Sequence, residues 1–207
     1  MKTARVKLFS ALVPYIAVLL GLWVLKNAWI AIVLYHFGIG IFLIAGDRNS
    51  SLKRVFKGWN STAAVLSIVM SIAIFPIIFF FWKYMQLQEV SLNSTLDNFR
   101  LHGISWLLFM IYFSTVQPIV EEIYWRGYLK CGHKYFSWTD FAFAGYHILV
   151  LAWFIKVPWL VIAFVALLIA AYVWRGIVSK LDGLAVPLIS HVAADISIIA
   201  VINILIQ

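Results

Sequence analysis

The chain has 207 residues, of which 64% are hydrophobic and only 12% charged. Soluble domains carry about 25% charged residues, so a soluble globular domain, a disordered chain and a disulfide scaffold are excluded. The formal charge is +8, from 16 Lys and Arg against 8 Asp and Glu; in so apolar a chain, basic excess marks the cytoplasmic loops of a membrane protein rather than a nucleic-acid surface.

Seven apolar stretches follow one another, near Leu8–Leu25, Ala28–Gly46, Ala63–Trp82, Ile104–Val120, Phe141–Ile155, Val157–Trp174 and Leu184–Ile206. Each is long enough, or nearly so, for the ~20 residues that a membrane-spanning helix needs. They are continuously apolar, which argues against the alternating strands of a β-barrel. Helices satisfy every backbone polar group internally and are the remaining way to span. The expected fold is therefore all-α, a polytopic transmembrane bundle of about seven spans. Met1–Leu25 resembles a secretory signal, but no small-residue cleavage site closes it, and it reads as a retained first span. The single cysteine, Cys131, permits no disulfide within the chain, and no cysteine-rich zinc motif is present.

The connections give an orientation. Lys2, Arg5 and Lys7, then Arg48, Lys53, Arg54 and Lys57, then Arg126, Lys130 and Lys134, then Arg175 and Lys180 fall on alternate connections. The other side holds Lys26, Lys83, Arg100 and Lys156. The positive-inside rule then puts the N-terminus in the cytoplasm and, with seven spans, the C-terminus outside. Two Asn-Ser-Thr triplets, at Asn60 and Asn93, match the glycosylation pattern, but such matches arise by chance.

Ionisable residues inside the spans carry the information, because each costs about 2.5–3.5 kcal/mol at the bilayer centre on insertion scales. Glu121 and Glu122 end the fourth stretch. On a helix, Glu122 and Arg126 share a face, and Glu121 points about 100° away. A carboxylate with no cation of its own suits a general base or acid, although a solvated helix end reads equally well from this segment. His147 follows Phe143 by four residues, and His191 precedes Asp195 by four. Asp195 could orient the His191 imidazole, or both could bind a metal. Glu121 lies about 7–8 Å, and His147 and His191 about 10 Å, from the same end of their spans at 1.5 Å per residue. Three different spans thus place polar groups in one layer, as a buried site requires. Pro118 lies in the turn before Glu121, and Pro187 in the first turn of the last span. His36 has no evident partner and reads as structural, while His102 and His133 fall in connections.

Glu-Glu-x-x-x-Arg, Phe-x-x-x-His and His-x-x-x-Asp, in that order on successive hydrophobic stretches, resemble the CPBP family of intramembrane proteases, the CAAX protease and bacteriocin-processing group, also called the abortive-infection family. The matching residues are Glu121, Glu122 and Arg126, then Phe143 and His147, then His191 and Asp195. The resemblance implies a protease core in the last four spans, residues 103–207, behind N-terminal transmembrane helices and loops in 1–102. It implies an endopeptidase in which Glu121 and His147 activate water, His191 and Asp195 steady the oxyanion or orient the site, and Glu122, Arg126 and Phe143 support it. The substrate would be a membrane-associated peptide or protein, lipidated in the prenyl-processing branch, and the compact chain resembles members of the bacterial cytoplasmic membrane. Some members carry Asn where this chain has Asp195, and an ionised carboxylate cannot donate to an oxyanion. Glu121, His147, His191 and Asp195 also include ligand types that zinc accepts, so a divalent metal stays an alternative to a metal-free mechanism. Two other classes stay open on the residues alone: a bacteriocin-immunity or partner-binding membrane protein that keeps the motifs as helix glue, and a small proton-coupled transporter.

Overall fold

The computed structural model describes residues 2–45, 52–87, 91–130, 132 and 134–207, with side chains from residue 5 onward. Arg48, Cys131, His133, the end of the second stretch at Gly46 and the side chain of Lys2 lie outside these. The described residues form a bundle of helices.

The first span comprises α1 (Lys2–Ser10), α2 (Val13–Val18) and a π-helical run, Leu19–Val24. Pro14 opens α2, where its missing N–H costs little. Asn27 then caps α3 (Ala28–Ala45), its side-chain oxygen accepting from the backbone N–H of Trp29 and Ile30. These two spans cross at Gly21, where a Cβ would overlap the backbone of Ala31. Small residues at such crossings let helix backbones approach in lipid, where the hydrophobic effect no longer drives association.

Asn60 caps α4 (Ser61–Ile72), which leads into α5 (Ile74–Met85). The break falls just before Pro76, which can neither donate to the preceding turn nor clear its carbonyl. Asn60 is thus used as a cap, and the second Asn-Ser-Thr triplet lies inside a short helix, α6 (Leu92–Asn98). Helix α7 (Gly103–Glu121) contains Pro118 and runs on into a π-helical segment, Glu122–Tyr128, whose i→i+5 character shows in the bond from Leu129 N to Tyr124 O (2.9 Å). Helix α8 (Trp138–Leu151) starts on a reciprocal cap between Ser137 and Asp140. Helices α9 (Val157–Leu181) and α10 (Ala185–Leu205) complete the chain, with Pro187 in the first turn of α10 as expected.

Six helical stretches among the described residues are long and apolar enough to cross a membrane, where the sequence predicts about seven. The fifth expected stretch, Phe141–Ile155, is the difference. Its helix α8 has 14 residues, which at 1.5 Å per residue is about 21 Å and short of a ~30 Å hydrocarbon core. The segment nevertheless runs from one end of the bundle to the other. At one end Leu87 N donates to Phe154 O and Lys156 N to Met85 O, at 3.0 and 2.9 Å. At the other, Asp140 in the first turn of α8 faces α9 through Arg175. The connection after α3 meets the one after α9 at this second end: Leu184 N donates to Arg54 O, Ala185 N donates to Lys57 O, and Arg54 pairs with Asp182.

Two further boundaries differ from expectation. The fourth span continues past Val120 to Tyr128, and the sixth past Trp174 to Leu181. Arg126 and Arg175 therefore belong to helices and are buried instead of standing in connections. Each has a carboxylate partner close by, which is what allows a guanidinium to stay inside.

Gly21→Val should lower the thermal midpoint in detergent, by an overpacking cost of about 1–3 kcal/mol. Gly40→Val, where a Cβ meets nothing within 4 Å, should leave the midpoint unchanged; equal midpoints for the two variants would refute the close crossing.

Candidate active site

The adjacent carboxylates Glu121 and Glu122 are 2% and 1% exposed, which excludes a solvated helix end. They point to different partners. Arg126 donates to Glu122 Oε1 at 3.0 Å, one turn along the π-helical segment. The His191 Nδ1 lies 2.9 Å from the same oxygen, so α10 is tied to α7 at this point. The Arg126 guanidinium lies over Phe143 (4.2 Å) and Trp174 (4.9 Å), and the Trp174 indole stacks on the His191 ring at 4.7 Å. Trp174 is held in turn by Ser190, whose hydroxyl accepts its indole N–H at 3.0 Å.

Among the described residues no arginine or lysine pairs with Glu121. Its Oε1 accepts from Gln117 Nε2 at 2.5 Å and from the Tyr146 hydroxyl. Among the described residues its Oε2 has no hydrogen-bond partner and faces His191 Nε2 at 3.7 Å. Glu122 Oε2 and Asp195 Oδ2 are likewise buried without a hydrogen-bond partner among the described residues, but Glu122 has a guanidinium beside it and Glu121 does not. His147, half-buried on α8, places Nδ1 2.8 Å from the Phe143 carbonyl and Nε2 3.2 Å from the Tyr146 hydroxyl.

The structure therefore brings buried Glu121, Glu122, Arg126, Phe143, His191 and Asp195 and half-buried His147 into one layer built from α7, the π-helical segment after it, α8 and α10. The His191–Asp195 hydrogen bond considered from the sequence is not formed, because their nearest atoms are 3.8 Å apart. Glu122 instead orients the imidazole. His36 does find a partner: its Nδ1 donates to Ile32 O at 2.8 Å, and its ring packs edge-on against Tyr35 and Tyr112. His102 is exposed.

Sequence reasoning missed Gln117 and Tyr146, which make the contacts to Glu121. Gln117 was accessible in principle, as an amide four residues before a carboxylate in an apolar helix. Tyr146 was not, since one tyrosine beside a histidine carries no spacing signal. The buried pair of Arg175 and Asp140, with contacts of 3.0 and 2.6 Å, was also missed; Arg175 further donates to the carbonyls of Gly132 and Tyr135.

The donor set does not fit the zinc alternative. Among the described residues no three His, Cys, Asp or Glu side chains are grouped to hold one ion. His147 also has both nitrogens turned to protein partners, Phe143 and Tyr146, and His191 Nδ1 is turned to Glu122.

Arg126→Ala should cost about 3–5 kcal/mol, because it strands a buried carboxylate. Adding Glu122→Gln should recover part of that loss. A detergent melt in which Arg126→Ala equals wild type would show that Glu122 does not depend on it.

Neither the curated proteins nor the solved structures contain a match to the chain. A family model, type II CAAX prenyl endopeptidase Rce1-like, matches residues 103–197, from the first residue of α7 to two residues past Asp195. All seven motif residues fall inside that range. Over residues 103–197 the chain is thus similar to the type II CAAX prenyl endopeptidase Rce1-like family, in keeping with the CPBP resemblance of its three motifs.

Proposed function

We propose that this multi-pass membrane protein is a CPBP-type, CAAX prenyl protease-like intramembrane endopeptidase. It cleaves a membrane-associated peptide or protein with a water activated by Glu121 and His147. The observation that carries the reading is the asymmetry of Glu121: Oε1 is held by Gln117 and Tyr146 while Oε2 stays uncommitted in a buried site. A general base needs a free lone pair and a fixed geometry; Oε2 offers the first, and the bonds of Gln117 and Tyr146 to Oε1 supply the second.

His191 supplies the other half of the chemistry. Its Nδ1–H is committed to Glu122, and a proton on Nε2 makes the ring a cationic donor beside Glu121 Oε2. Such a preorganised donor stabilises the oxyanion that forms as water adds to the scissile carbonyl. An ionised Asp195 only accepts, so it serves by holding that proton on His191. Glu122, Arg126 and Phe143 fix the ring's position. The protein would lie in a bacterial cytoplasmic membrane with its N-terminus inside; the alternation of basic connections supports that orientation.

The test compares native membranes expressing wild type or Glu121→Gln at equal abundance. New peptide termini are catalogued, and cleavage of a quenched peptide ending in a prenylated C-a-a-X sequence is followed in parallel. Loss of about 100-fold or more in cleavage is expected, the scale of a general base. Identical termini and an unchanged rate would overturn the reading and favour a binding or immunity protein that keeps these residues as helix glue.

A further inference from the structure

The hydrogen-bond geometry around Tyr146 fixes which atoms can carry protons. The Phe143 carbonyl only accepts, so His147 Nδ1, 2.8 Å away, carries a hydrogen. In the neutral ring Nε2 is then bare, and it bears a hydrogen only in the imidazolium. The Tyr146 hydroxyl, with one hydrogen of its own, touches both His147 Nε2 and Glu121 Oε1. Two arrangements give each of these contacts a hydrogen. In one, Glu121 is ionised, Tyr146 donates to it, and imidazolium Nε2–H donates to the Tyr146 oxygen. In the other, protonated Glu121 donates to the Tyr146 oxygen, and Tyr146 donates to neutral His147. The two differ by one proton passed along the row.

We propose that Tyr146 is a proton-relay and positioning residue that ionises Glu121 by passing its proton to His147, leaving Glu121 Oε2 free to deprotonate the attacking water. The inference rests on the protease reading above. As the water oxygen bonds to the scissile carbonyl carbon, one water proton goes to Oε2. As the C–N bond breaks, that proton goes to the leaving nitrogen. Glu121 is again a carboxylate, and the acid and amine products settle their remaining proton with solvent. His147 keeps the parked proton throughout, so the next turnover begins with the base ready.

The surroundings hold the hydroxyl in place. The Tyr146 ring lies parallel to Trp125 at 5.8 Å, beside Tyr35 at 5.9 Å and edge-on to Tyr15 at 6.4 Å. A flip about the ring axis leaves the hydroxyl where it is, since the oxygen lies on that axis. Tyr15 and Tyr35 belong to the first two spans, outside the segment that the family model matches. The N-terminal helices therefore wall in the relay.

Tyr146→Phe keeps the ring and removes only the hydroxyl. With the full chain in detergent and the quenched prenylated C-a-a-X peptide, kcat should fall by about 10-fold or more while KM stays at the wild-type value. Replacing Tyr146 by 3,5-difluorotyrosine, which keeps the shape and acidifies the hydroxyl, should change kcat and displace its pH profile. If Glu121→Gln is inactive but Tyr146→Phe cleaves as wild type, or the fluorinated protein shows the wild-type pH profile, the relay is overturned and the protease reading stands. If Glu121→Gln still cleaves, the base assignment falls and the relay with it.

Discussion

Two neighbouring carboxylates buried at membrane depth are the constraint on which the rest of this structure depends. Each charge costs about 2.5–3.5 kcal/mol to insert, and neighbours in sequence on a helix point about 100° apart. The chain resolves this by giving them different hydrogen-bond partners. Glu122 takes Arg126 and His191, an arginine from its own helix and an imidazole from α10. Glu121 takes an amide and a phenol, neutral donors that fix a carboxylate without neutralising it. One carboxylate is thereby paired with a guanidinium, and the other is held by neutral donors alone at its Oε1. Arg126, in the π-helical segment that begins at Glu122, lies over the aromatic faces of Phe143 and Trp174.

Polar bonds between helices set the architecture around that centre. Interhelical hydrogen bonds in membrane proteins average about 0.6 kcal/mol, so no single one decides the fold. Here they occur at successive levels of the bundle. Tyr15 donates to the Ala142 carbonyl, Trp23 to the Leu149 carbonyl, and the Tyr124 hydroxyl meets Ser10. All three tie the first span to the segment that carries the Rce1-like pattern. The first span also passes close to α8 at Gly145, where a side chain would collide with Tyr15. The N-terminal region is thus packed as part of the site's wall, although nothing in its sequence resembles the family motifs. On the opposite flank Ser71 of α4 bonds to Ser190 at 2.9 Å, and Ser190 holds Trp174 behind His191.

Arg175 shows how a residue's meaning changes with its surroundings. As a basic residue after an apolar run it reads as a loop charge. In the fold it lies near the end of a 25-residue helix, 5% exposed, with Asp140 accepting from Nε and Nη2, the Tyr135 carbonyl from Nη2 and the Gly132 carbonyl from Nη1. That cluster gathers the start of α8, the segment before it and α9 at one end of the bundle. Asp140 serves there twice, since it also accepts from the Ser137 N–H to cap α8.

Composition and hydropathy alone determined that this chain is a bundle of membrane helices, because a backbone in hydrocarbon must satisfy itself within each segment. The spacing Glu122–Arg126 determined their pairing, since residues four apart on a helix are neighbours whatever else surrounds them. The ordered motifs determined which side chains to look for. What only the tertiary structure decided is the contact made across helices. That Glu122, not Asp195, orients His191, that Gln117 and Tyr146 hold Glu121, and that Arg175 is buried all depend on how α7, α8, α9 and α10 pack. So does the short reach of α8, whose apolar run looked long enough to span until its last turn opened at Ala152–Ile155 to meet the end of α5. A one-dimensional pattern records spacing along a helix; it holds no record of which faces of different helices meet, and the contacts of this site are made there.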